Sequence, residues 1–228
     1  MKNKFIYLIF ASITLLSAFA CITIFNDPDD IDGNGIFGGS GSGSMTIDAL
    51  VENGNSSIVS VKAMCYGDDY LRGYEVATGK YENGRIKITL PATIPTQYLQ
   101  SMEVEPGTTI SDKNAMWNII GINAYDKDDK NIGGFFYSTL PPVSFPIDYD
   151  EWNGYSHAWI VYVDRDVIIK GTTQEGDVIV IADGSLKKGW NLLYRTCYIE
   201  YKAGTIIETE TDTTKKPSGK NFKWYFYG

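Results

Sequence analysis

The sequence predicts an all-β fold: an antiparallel β-sandwich or barrel-like domain of about ten strands, set behind a signal peptide and a flexible tether. Three observations predict it. Short runs rich in Val, Ile, Thr and Tyr recur along the body with turn residues between them; such side chains suit pleated, half-buried surfaces. Several runs alternate apolar and polar residues at period two. No long stretch after residue 45 carries the amphipathic helical period.

The elements follow in chain order. Met1-Lys2-Asn3-Lys4 is a short basic start, and Phe5 to Phe25 carries no charge. A basic start, an apolar stretch and small residues at a cleavage point mark a secretory signal. Ala18-Phe19-Ala20 supplies the small-x-small pattern, and Cys21 follows at once. Ala18-Phe19-Ala20-Cys21 resembles the lipobox of bacterial lipoproteins. That resemblance implies a diacylglycerol on the Cys21 thiol, with Cys21 as the first mature residue. The family prefers Leu and a small residue where Ala18 and Phe19 stand. Two alternatives remain: ordinary cleavage after Ala20, or an uncleaved anchor, since Phe5–Phe25 matches the roughly 20 helical residues that span a bilayer. All three put the body outside the cytoplasm.

Residues 21–44 form the tether. Asn26 to Ser44 is first acidic, then Gly/Ser-rich, with little to bury, and is expected to stay disordered. Its reach is roughly 25 Å root-mean-square. Asp30-Ile31-Asp32-Gly33-Asn34-Gly35 opens like a calcium loop, but Gly41 stands where such a loop needs its bidentate Glu. Removing residues 1–20 takes away Lys2 and Lys4 and moves the net charge from −8 to −10. So acidic a body disfavours nucleic acid, whose affinity rests on Lys and Arg meeting phosphates.

In the body, residues 45–228, Thr46–Val51 is the first strand. Ile58–Tyr66 is the second, with Val59, Val61, Ala63 and Cys65 on one face. Tyr74–Tyr81 and Arg85–Leu90 flank Asn83-Gly84, a strong hairpin cue, with Ile86, Ile88 and Leu90 facing inward. Thr96–Met102 reads as one or two helical turns opened by Pro95. Ile119–Tyr125 and Ile132–Ser138 form a hairpin around Asp126-Lys127-Asp128-Asp129-Lys130-Asn131, whose Asp residues cap the turn or bind calcium. Ala158–Val163 and Val178–Ala182 are continuous apolar runs, expected in strands buried on both faces. Asp183–Gly189 reads as a loop. Trp190–Tyr201 and Thr205–Thr211 form another hairpin. Asn221–Tyr227 closes the chain, with Phe222, Trp224 and Phe226 on one face. One continuous domain is expected, with Pro106-Gly107 the place where two subdomains would divide.

The chemistry-bearing residues are few. There is one histidine, His157, so His-rich zinc sites are excluded. No Gly-x-Ser-x-Gly elbow or phosphate-cradling Gly loop is present, and no cofactor is implied. His157 reads as a strand-end residue. Asp148, Asp150 and Glu151 offer carboxylate pairs of the kind glycosidases use. Tyr149, Trp152 and Tyr155 are the candidate ligand-binding residues, because aromatic faces beside acids and amides suit sugar rings. The competing reading packs these aromatics onto the sheet. Cys65 and Cys197 either pair as a disulfide or remain free; the sequence leaves both open.

The Cys21 region, the acidic Gly/Ser tether, Asn83–Pro91 and Lys188-Gly189-Trp190-Asn191 together resemble the uncharacterised β-rich lipoproteins of Bacteroidetes. That group implies no single activity. The expectation is a cell-envelope lipoprotein at the outer membrane or cell surface, acting as a non-enzymatic binding or structural module. Its partners are the membrane, through lipid on Cys21, and a glycan or envelope protein. The alternatives are a carbohydrate-binding accessory protein of a glycan-uptake system, a carboxylate-dependent hydrolase, and an adhesin or pilus subunit.

Overall fold

The computed structural model of this chain describes residues 35–38, 43–66, 73–141, 152–202 and 205–228. The leader, Cys21, most of the candidate calcium loop, Tyr149, Asp148, Asp150 and Glu151 lie outside the described residues. Among the described residues no helix is long and apolar enough to cross a membrane.

The protein is all-β, as the alternating runs predict. Among the described residues there are fifteen strands rather than about ten: β1 Gly35–Gly38, β2 Met45–Glu52, β3 Ser60–Tyr66, β4 Gly73–Glu82, β5 Arg85–Leu90, β6 Gln100–Ser101, β7 Thr108–Ile110, β8 Met116–Tyr125, β9 Asn131–Ser138, β10 Ser156–Val163, β11 Val167–Glu175, β12 Val178–Leu186, β13 Gly189–Lys202, β14 Thr205–Thr213 and β15 Lys223–Tyr227. All are joined in one hydrogen-bonded sheet. It is mixed rather than purely antiparallel, since β2 runs parallel to β15 and β12 parallel to β14.

The pairings close a ring of seven strands in the order β8-β3-β4-β5-β2-β15-β9 and back to β8. Period-two alternation fills this ring. Met45, Ile47 and Ala49 of β2, Val61, Ala63 and Cys65 of β3, and Ile86, Ile88 and Leu90 of β5 are all buried and share one core with Phe135, Trp224 and Phe226. Phe135 and Phe226 pack at 5.7 Å between centroids, and Tyr137 and Trp224 at 5.6 Å. The 3-10 turn Thr96–Tyr98, opened by Pro95, comes next in the chain. The Tyr98 carbonyl accepts from Asn118 Nδ2 at 2.6 Å and from the Cys65 thiol at 3.2 Å.

β8 changes neighbours along its length. Its C-terminal half pairs with β9 and its N-terminal half, Trp117–Ile120, with β10. From there a second sheet, β10-β13-β14-β12-β11-β7, leaves the ring. β10 is therefore buried on both sides. Ala158, Ile160 and Tyr162 face the ring core, while Trp159, Val161 and Val163 join Val167, Leu186 and Leu193 in a second core. The unbroken apolar run of Ala158–Val163 is the sequence trace of that position.

The Asn83-Gly84 turn has φ of 54° and 73°, the left-handed pair that a two-residue hairpin requires. At the other hairpin the Asp126 carboxylate accepts from the backbone N–H of Asp128 and Lys130 at 2.8 and 3.0 Å. Asp126 therefore caps the turn through its own backbone.

Several expectations need correction. Gly35–Gly38, assigned to the disordered tether, pairs antiparallel with Thr46–Ala49 of β2. Val59 is 53% exposed, because it precedes β3 and Ile58 takes the inward position instead. Val178–Ala182 is covered on one face only: Val180 is buried and Ile181 is 37% exposed. Asp183–Leu186 continues β12 instead of forming a loop, held along Val167–Lys170 of β11. β11 itself, whose Lys170, Gly171 and Gln174 dilute its apolar pattern, and the three-residue β7 were not expected.

Candidate functional site

The chemistry-bearing side chains converge on one face of the second sheet. Alternation sends His157 and Trp159 of β10 and Arg195 and Cys197 of β13 to the same side. On β14 it sends Glu208, Glu210 and Asp212 there. Register aligns them: His157 lies opposite Arg195, Arg195 opposite Asp212, Cys197 opposite Glu210 and Ile199 opposite Glu208.

Arg195 is the centre of this cluster and is 1% exposed. Its Nε and Nη2 donate to the two Asp212 oxygens at 2.7 Å each, a two-pronged charged pair. Nη1 forms an ion pair with Glu210 at 2.5 Å. The guanidinium stacks over the Trp159 ring at 4.7 Å. Burial works against the charge of Arg195, and Asp212 and Glu210 outweigh it. Burial pushes the Glu210 carboxyl up to about 7 against the pull of Arg195, with Asp212 and Glu208 adding repulsion. Glu208, half-buried, is also pushed up by burial and drawn back by Arg195. Burial raises the Cys197 thiol, and Glu210 raises it further.

An aromatic row runs beside the cluster. Trp152 stacks on Tyr155 at 4.8 Å and 23°, Tyr155 meets His157 at 5.4 Å, and His157 meets Trp159 edge-on at 4.7 Å. His157 retains some exposed surface, yet its Nδ1 is enclosed and has no hydrogen-bond partner among the described residues. Burial, then the charge of Arg195, lowers its pKa to about 3, so the imidazole is neutral.

The turn carrying Trp152 and Tyr155 is bolted to β13. Gly154 N–H donates to the Cys197 carbonyl at 2.7 Å and Cys197 N–H to the Tyr155 carbonyl at 2.9 Å. Ile199 N–H donates to the Asn153 side chain at 3.1 Å, and Lys220 Nζ to the Gly154 carbonyl at 2.6 Å. Tyr155 is 7% exposed and hydrogen-bonds the Ser138 side chain. Of the three candidate sugar-binding aromatics, Tyr155 thus packs inside, Trp152 is half-buried, and Tyr149 lies outside the described residues.

Cys65 and Cys197 are both free and buried rather than joined. Each belongs to a different environment: Cys65 lies in the ring core, and Cys197 faces the acids of β14.

Sequence reasoning missed Arg195, Glu210 and Asp212. Two signals were present. Glu208-Thr209-Glu210-Thr211-Asp212 places an acid at every second position, which in a strand means three acids on one face. Arg195 interrupts the apolar run of Trp190–Ile199, and a cation there demands a buried partner.

Chemically, the arrangement holds a guanidinium whose fork is engaged, two enclosed acids, one half-buried acid and a thiol. Cys197, Glu208 and Glu210 are the group among the described residues whose ligand atoms lie close enough for a metal ion, within 4.8 Å of one another. No protein family, curated protein or solved structure matches this chain.

Proposed function

We propose that this chain is a non-enzymatic binding or structural module of the bacterial cell envelope, lipid-anchored through Cys21 at the outer membrane or cell surface. The observation that supports the non-enzymatic reading is the enclosure of its richest charged cluster. Arg195 is 1% exposed and spends its donors on Asp212 and Glu210, themselves 6% and 3% exposed. A general acid or base must reach its substrate within hydrogen-bond range, and these groups face each other instead.

The anchor is tested by metabolic labelling with a clickable fatty acid. The wild type takes the label into the membrane fraction, and Cys21→Ser loses it. Recovery of an unlabelled chain in the cytosol with its leader intact overturns the proposal.

A second reading, a glycan-binding accessory protein, draws support from Trp152. Its ring stays half-accessible and lies nearly parallel on a buried Tyr155, a rigid platform of the kind a sugar face stacks on. A glycan array screened with wild type and Trp152→Ala decides it. Binding lost with the fold retained supports the site, and an array with no hit on the wild type removes it.

A further inference from the structure

We propose that Cys197, Glu208 and Glu210 bind one divalent cation of the zinc class, on the face where β13 and β14 meet. Register builds the site. Cys197 and Glu210 are directly opposed across two strands, and Glu208 stands two residues before Glu210 on the same face of β14. All three ligand atoms fall within 4.8 Å of one another. Zinc ligand bonds of roughly 2.0–2.3 Å place tetrahedral neighbours less than about 4 Å apart, so side-chain rotation of an ångström closes the gap without moving backbone.

The Cys197 thiol supplies the independent observation. It is 2% exposed, has no hydrogen bond among the described residues, and points at the two carboxylates. Buried polar groups are ordinarily satisfied, and here the neighbours are acceptors and acids. Glu208 likewise has no ion-pair partner among the described residues.

Charge balance points the same way. Among the described residues Arg195 is the one cation of the cluster, and it faces three acids, Glu208, Glu210 and Asp212. His157, on the adjoining strand, is neutral. Asp212 takes two prongs of the guanidinium and Glu210 the third. A divalent ion beside Glu208 and Cys197 offsets most of the excess negative charge, leaving about one negative charge once the thiol proton has gone.

The donor set selects the metal. A thiolate with two carboxylates suits zinc and its close analogues, whereas calcium and magnesium take oxygen ligands alone. On binding, the S–H bond of Cys197 breaks, the sulfur bonds to the metal and the proton passes to buffer. Glu208, half-buried at the rim, gives the ion its entry, and the fourth position remains open to water.

The test is titration of the reduced full-length chain with Co2+, then Zn2+. The expected result is a thiolate-to-cobalt charge-transfer band in the near ultraviolet, saturating at one ion per chain and removed by Zn2+. Cys197→Ser abolishes the band, while Cys21→Ser and Cys65→Ser keep it. Glu208→Gln, at a half-buried position, weakens binding by about tenfold or more, at least what loss of an outer-shell partner causes, with the circular-dichroism spectrum unchanged. Absence of the band in wild type overturns the proposal. So does a band that survives Cys197→Ser, that vanishes with Cys65→Ser or Cys21→Ser, or that keeps full affinity in a folded Glu208→Gln chain.

Discussion

Replacing Arg195 with Met removes one buried cation and leaves its two acids facing each other. The side chain that replaces it is similar in length and fills much of the same space, so the loss is electrostatic rather than steric. Wild-type Arg195 gives two hydrogen bonds of 2.7 Å to Asp212 and an ion pair of 2.5 Å to Glu210, all with less than a tenth of each residue exposed. Breaking a buried pair by removing one partner costs about 3–5 kcal/mol, because the remaining charge is stranded. Loss of the stacking contact with Trp159 adds about 0.5–2 kcal/mol. For a domain of this size each kcal/mol moves Tm by about 2–4 °C, so Arg195→Met should melt about 7–28 °C lower. The assay is urea denaturation, read for a lowered midpoint at unchanged slope. The triple variant Arg195→Met, Glu210→Leu, Asp212→Leu should recover most of the loss, since an apolar replacement of a buried network is often neutral or better. A loss below about 1 kcal/mol in the single variant, the range of solvent-screened surface pairs, would refute the claim that the cluster is enclosed.

Two further outcomes follow from other parts of the fold. His157 has a folded pKa of about 3 against an ordinary 6.5; below pH 6.5 the unfolded chain takes up the proton first. Stability from this residue therefore falls as pH drops from about 6.5 toward 3, and His157→Phe should flatten that slope in denaturation measured across the range. An unchanged slope would show an imidazole already open to water. Gly171, at φ 143°, lies against β7, and a Cβ there would meet the Gly107 carbonyl oxygen at 2.2 Å. Gly171→Ala should cost about 1–3 kcal/mol and speed hydrogen exchange at Thr108–Ile110; exchange at the wild-type rate would contradict the close crossing.

Much of the fold was legible because period two is a local signal. Ile86, Ile88 and Leu90 announce their inward face without knowledge of any partner, and Asn83-Gly84 announces its turn through a backbone preference. What could not be read is which strands meet. The ring depends on β2 finding β15 and on β8 dividing itself between β9 and β10, and neither choice leaves a mark within a few residues. Short or diluted strands were lost for a related reason. β7 has only three residues, and β1 lies in a Gly-rich stretch whose pairing comes from β2 rather than from its own composition. The cluster around Arg195 was half-legible. The acids of β14 alternate visibly, but their meeting with Arg195 and Cys197 depends on hairpin register. Tyr149, Trp152 and Tyr155 stand out in the sequence as a group of rings, and composition alone could not say that Tyr155 packs inside.

β15 closes the ring by standing between β2 and β9. Trp224 lies beside Val51 and Tyr225 beside Glu52, so two stretches far apart in sequence must meet before the ring has a wall on that side. Contacts between such distant stretches form late and slowly. Until β15 joins, β2 and β9 stay unbridged, and the inward Met45, Ile47 and Ala49 of β2 and Phe135 of β9 remain wet.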